Sequence, residues 1–107
     1  MNNPYIRLDD MEVRDENCKI AITELYKEIL KLESSIAVDE EQIQHLIEEV
    51  GKERVLFLYG AYMNQQYAYL ASMKNTFYYL TGISSARILI DLTEDEKKSI
   101  FSYEKEE

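Results

Sequence analysis

Apolar residues recur at Cys18, Ile22, Leu25, Ile29, Leu32 and Ile36, in alternating steps of four and three along a face that Ala21 broadens. That period predicts an amphipathic helix. Lys19, Glu24, Lys27, Glu28, Lys31 and Glu33 fill its other face, where the i,i+3 pairs Glu24 with Lys27 and Glu28 with Lys31 are favourable, by a few tenths of a kcal/mol each. Asp39 followed by Gln42 reads as a capping box opening a second, short helix, with Ile43, Leu46, Ile47 and Val50 as its apolar stripe and Gly51 as its end.

Two seven-residue series then run together from Lys52 to Leu80. One is Leu56, Met63, Leu70 and Phe77; the other is Tyr59, Gln66, Met73 and Leu80. Their offsets define one seam on a helix on the order of 40 Å long, expected to be longer than either neighbour and to stop at Gly82. Gly60 inside it marks the expected place for a bend or a close helix crossing. Ile88, Leu89 and Ile90 fit either a buried strand, for which Tyr5 to Leu8 is the one credible partner, or a short helix capped by Ser84 or Ser85. Thr93 with Glu96 predicts a capped final helix with Ile100, Phe101 and Tyr103 on its apolar side. The expected fold is all-α: a single domain, residues 1–107, forming a small antiparallel bundle of three to four helices around one long central Tyr-rich helix. Residues 1–12 and 104–107 are expected to be poorly ordered.

Charge sharpens this picture, because it is unevenly spread. The 107 residues carry a formal net charge of -9, yet residues 1–54 hold 7 basic and 14 acidic side chains, residues 87–107 hold 4 and 7, and residues 55–86 hold Lys74 alone. The acidic balance argues against direct binding of nucleic acid or of an anionic membrane, both of which repel it. Residues 55–73 are uncharged and about as long as a bilayer span. Asn64, Gln65 and Gln66 at the centre and tyrosines spread throughout nevertheless argue against insertion. One cysteine excludes an internal disulfide, and residues 1–10 lack the pattern of a signal peptide, so a reducing cytoplasmic setting is expected.

Candidate chemistry is sparse. His45 has Glu41, Glu48 and Glu49 within one turn, but no nucleophile or metal partner at a diagnostic spacing, and Gln42 stands where a Glu-x-x-His di-iron motif needs a carboxylate. Cys18 lies on an apolar seam, where a buried thiol is the ordinary explanation. One Cys and one His do not make a zinc site, and phosphate-loop and Gly-x-Ser-x-Gly motifs are absent. The sequence therefore predicts no catalytic residues, no cofactor and no metal.

Six of the nine tyrosines fall on the long helix. Tyrosine is enriched in binding hot spots and charge is depleted at interface centres. Tyr59, Tyr62, Gln66, Tyr67, Tyr69 and Tyr78 are accordingly the candidate interface, with Gln66 as a polar seam residue of the kind that fixes association state. Glu40, Glu41, Glu48 and Glu49 form a candidate acidic surface that could imitate phosphates toward a basic protein. The expected function is a non-enzymatic protein-binding module, a small regulator or inhibitor that binds a protein partner and self-associates, as a homodimer, through the long helix. Small adapters, immunity proteins and phage accessory factors share this profile, by analogy of architecture alone. A nucleotide-type ligand held by tyrosines, Asn64, Gln65, Gln66, Lys74 and Arg87 is the alternative from another class.

Overall fold

A computed structural model describes residues 5–13 and 15–101. Their order is β1 (Ile6–Arg7), a single 3-10 turn (Leu8–Asp10), α1 (Glu16–Val50), α2 (Lys52–Thr81), a second 3-10 turn (Ser85–Arg87), β2 (Ile88–Leu89) and α3 (Glu94–Ile100). The chain is thus mostly helical, with three helices among the described residues and one small sheet.

Asp15 opens α1, its carboxylate accepting from the Cys18 backbone N–H at 2.9 Å. The helix then runs without a break for 35 residues, about 50 Å. The boundary expected at Asp39 does not exist, and the first and second predicted helices are one. No Gly or Pro lies between Ile36 and Asp39, so each further residue adds a backbone hydrogen bond, whereas restarting a helix would require a new nucleus. The Asp39 carboxylate instead accepts from the Tyr62 hydroxyl, at 3.1 Å. The Tyr-rich helix α2, with 30 residues, is consequently the second longest rather than the longest.

Gly51 ends α1 with φ 97° and Gly82 ends α2 with φ 73°, both as expected. These are backbone regions that residues bearing a Cβ avoid. At Gly60 the close crossing, one of the two expected features, is absent: a Cβ placed there would meet nothing within 4 Å, so no element crosses α2 closely at that point. Partners across the two long helices step in opposite directions. Tyr26 meets Phe77, Glu33 meets Lys74, Glu40 meets Tyr67 and Asp39 meets Tyr62.

The strand alternative is the one realised. β1 and β2 pair in parallel, Ile6 opposite Ile88 and Arg7 opposite Leu89, and Arg7 pairs with Asp91 just beyond. Parallel strands need a long crossover, and α1 with α2 supplies it. The Tyr26 hydroxyl donates to the Ile88 carbonyl at 2.9 Å, fixing β2 to α1. Lys19 Nζ donates to the Asp9 and Met11 carbonyls at 2.7 and 3.2 Å, holding the segment after β1 to the same helix. Within the 1–12 segment, expected to be poorly ordered, Leu8 is 1% exposed and Met11 is buried beside it. α3 opens with the capping box read from the sequence, both hydrogen bonds present, and Glu96 also pairs with Lys27 on α1. Ile100 is buried and Phe101 half-buried, while Tyr103 and residues 104–107 lie outside the described residues.

The main core gathers at the sheet end of the molecule: Leu8, Met11, Ile22, Tyr26, Ile29, Phe77 and Ile88. Phe77 is completely buried, its ring 5.8 Å from that of Tyr26. Toward the Gly51 end burial thins to Ile36, Met63 and Val55. The radius of gyration is 16.7 Å, against about 13 Å for a compact domain of this length, so the long helices leave much of their surface uncovered.

Candidate functional site

The seam of α2 is shorter than its heptads suggest. Met63 and Phe77 are buried and Gln66, Leu70 and Met73 half-buried, but Leu56, Tyr59 and Leu80 at the two ends are exposed. A straight helix drifts about 20° per heptad from a 3.5-residue repeat, so a fixed seven-residue series leaves the contact face within three heptads. Val55 takes the buried position at the Gly51 end.

Where the seam opens, α1 and α2 enclose a cleft of about 400 Å³. Ile43 from α1 and Val55, Leu56 and Met63 from α2 give it apolar walls. Tyr59 and Tyr67, together with Glu40, Gln44 and Asn64, line the rest. Gly60 faces the same space, which accounts for the empty volume around its Cα. The Tyr67 hydroxyl hydrogen-bonds to the Glu40 carboxylate, so the wall of the cleft is braced across the two helices.

The six candidate interface residues do not form one surface. Tyr59 and Tyr67 line the cleft, Tyr62 is tied to Asp39, and Gln66 lies half-buried in the seam. Tyr69 and Tyr78 are exposed and lie roughly 180° apart around the helix. The four candidate acidic residues are all exposed, but at 100° per residue only Glu41 and Glu48 share a face of α1, while Glu40 turns toward α2 and Glu49 away from it. A phosphate-like row is not what they make.

The candidate interface leaves out the two most exposed aromatic side chains. Phe57 is 87% and Tyr79 86% exposed, and Leu58 is exposed near the first of these. A second stripe carries the signal that would have found them: Phe57, Ala61, Asn64, Ala68, Ala71 and Asn75 recur in steps of four and three on the side of α2 turned away from its buried seam. A shallow groove runs along that side between Ala68 and Tyr79. Lys74, the one charge between Val55 and Ala86, is drawn onto α1 by an ion pair with Glu33 at 2.8 Å. Beyond its first turn, which carries Lys52, Glu53 and Arg54, the outer face of α2 is therefore without charge.

Groups able to do chemistry are dispersed. His45 is exposed and Cys18 half-buried, and both lie on α1, about 40 Å apart along it, so they cannot act together. Among the described residues no three His, Cys, Asp or Glu side chains are placed to hold a metal ion, and no buried side-chain N or O lacks a hydrogen-bond partner. Lys74, the cation nearest the middle of α2, is engaged by Glu33 rather than presented to an anionic ligand. No helix among the described residues is long and apolar enough to cross a membrane. Comparison of the chain with protein-family models, with curated proteins and with solved structures gives no match in any of the three.

Proposed function

We propose that this chain is a non-enzymatic protein-binding module, a small cytoplasmic regulator or inhibitor. It is built as an antiparallel helical bundle that seats a partner protein in the cleft at the Gly51 end. The observation that carries this reading is the makeup of the cleft: apolar walls from Ile43, Val55, Leu56 and Met63, two tyrosines, and one carboxylate, Glu40, already hydrogen-bonded to Tyr67. Its volume suits one or two apolar side chains of a partner, the arrangement in which hot spots concentrate binding energy. Tyr59 and Tyr67 offer rings for packing and hydroxyls for a polar rim. Glu40 at that rim, on the strongly acidic first half of the chain, favours a partner whose apolar anchor is flanked by basic residues.

The test is capture by the immobilised full-length chain, comparing the wild type with Leu56→Ser and Tyr59→Ser. Both side chains are exposed in the isolated chain, so the helical circular dichroism is expected to be unchanged. Loss of the same captured protein from both variants supports the reading. Undiminished capture by both would remove the cleft from the interface.

A further inference from the structure

We propose that the outer face of α2 seats a second copy of this chain, antiparallel to the first, with Ala68 on the two-fold axis. The inference concerns a different surface from the cleft, Asn64 being the only residue used here that also lines it. It stands or falls separately from the binding of another protein there.

The pattern on this face is symmetric about its middle. Counting outward from Ala68, four residues either way reach Asn64 and Ser72, seven reach Ala61 and Asn75, and eleven reach Phe57 and Tyr79. Offsets of four, seven and eleven keep to one side of a helix. In an antiparallel pair centred on Ala68 each Phe57 therefore lies against the partner's Tyr79, each Asn64 beside a Ser72 hydroxyl, and alanine meets alanine at the centre. That is the self-complementarity a two-fold contact demands, in which a patch must match itself. A parallel pair would set Phe57 on Phe57 and Asn75 on Asn75, and would not use the symmetry.

Area and charge agree with this occupant. Phe57 and Tyr79 are 87% and 86% exposed. With about 150–250 Å² per aromatic side chain, the four rings of a pair withdraw roughly 700 Å² from water, nearly half of the about 1,600 Å² typical of a stable interface. The small residues between them let the two helix axes approach closely along a stretch of about 33 Å, and the shallow groove from Ala68 to Tyr79 receives the facing helix. Two chains each carrying -9 repel on most approaches. From Val55 to Thr81 the only charge is Lys74, already turned to Glu33, so this is the face on which two copies can meet without opposing carboxylates.

The experiment is sedimentation velocity on the full chain at tens of micromolar, with disulfide trapping in a Cys18→Ser background. The wild type is expected to sediment with twice the chain mass. Phe57→Ser with Tyr79→Ser is expected to fall to the single mass with helical circular dichroism unchanged, and Leu56→Ser to remain double. Under mild oxidation Ala68→Cys is expected to link to itself, because Cα atoms at the axis come within the 4.4–6.8 Å a disulfide spans, while Phe57→Cys is not. A wild type of single mass, a dimer that survives loss of both rings, or self-linking by Phe57→Cys in place of Ala68→Cys would each overturn the proposal.

Discussion

Removing one oxygen tests how the sheet end of the molecule is held. Tyr26 is 6% exposed, stacks obliquely on Phe77 and donates its hydroxyl to the Ile88 carbonyl at 2.9 Å. Tyr26→Phe keeps the ring and its packing but leaves that buried carbonyl without the donor. The cost of such a loss is about 1–3 kcal/mol, against a total of about 5–15 kcal/mol for a domain of this size. Urea unfolding followed by circular dichroism is expected to give a lower midpoint at unchanged slope, and the melting temperature is expected to fall by roughly 5–15 °C. A second arm uses pH. Burial first, and the negative charge of Glu33 second, hold the Tyr26 hydroxyl above the ordinary tyrosine value of 10.0. The folded chain thus keeps a proton that the unfolded chain gives up. This contribution is complete below the ordinary tyrosine range and is lost as pH rises above it. The wild type should lose more stability on alkaline titration than Tyr26→Phe, the eight other tyrosines being common to both. A variant within about 0.5 kcal/mol of the wild type at neutral pH, or with the same alkaline loss, would refute the assigned role of the hydroxyl.

Continuity of α1 can be tested by Glu40→Pro: at the start of a separate helix proline is well tolerated, whereas inside α1 it should cost about 3 kcal/mol or more in urea unfolding. Two glycines of α2 should respond with opposite sign, Gly60→Ala stabilising by up to about 1 kcal/mol because its Cβ enters open space, and Gly82→Ala destabilising by about 1 kcal/mol at its positive φ. Lys27 holds the Glu96 carboxyl below the usual carboxylate range through a hydrogen bond, aided by the Thr93 backbone. This contribution is present above the ordinary carboxylate value and lost as pH falls through the lowered one. The protection factors of the α3 amides, corrected for the intrinsic fall of exchange rates with pH, should therefore drop on acidification in the wild type and already be lower near neutral pH in Lys27→Met.

What could be read from the sequence was local and obligatory. Gly51 and Gly82 end helices because their backbone conformations suit little else, and Thr93 with Glu96 forms both bonds of its capping box. The same motif at Asp39 failed because a capping box has value only where backbone N–H groups lack partners, and the uninterrupted helix before it satisfies them. Tyr26 fell outside the predicted seam of Cys18, Ile22, Leu25 and Ile29, since the buried face is rotated by one residue toward it. Its reason for being inside, the carbonyl of Ile88, lies 62 residues away in the chain. Pairing of Tyr5–Leu8 with the Ile88 segment was readable only as an alternative, because two-residue strands carry no alternation of their own. The candidate surface suffered from selecting tyrosines by type: it found Tyr59 and Tyr67 at the cleft but passed over Phe57. Residue type says little about which side of α2 a ring occupies, whereas spacing relative to Phe77 does.

On the pairing proposed above, α2 keeps one face for its own chain and offers the other to a second copy. Hydroxyl-radical footprinting of the full chain, dilute and concentrated, reads both faces at once through the oxidation rates of individual side chains. Phe77 and Tyr26 should stay protected throughout, while Phe57 and Tyr79 should be oxidised rapidly when dilute and become protected as concentration rises. Phe57 and Tyr79 oxidised as rapidly in concentrated as in dilute chain, or protected in chain that sediments with a single mass, would contradict the claim.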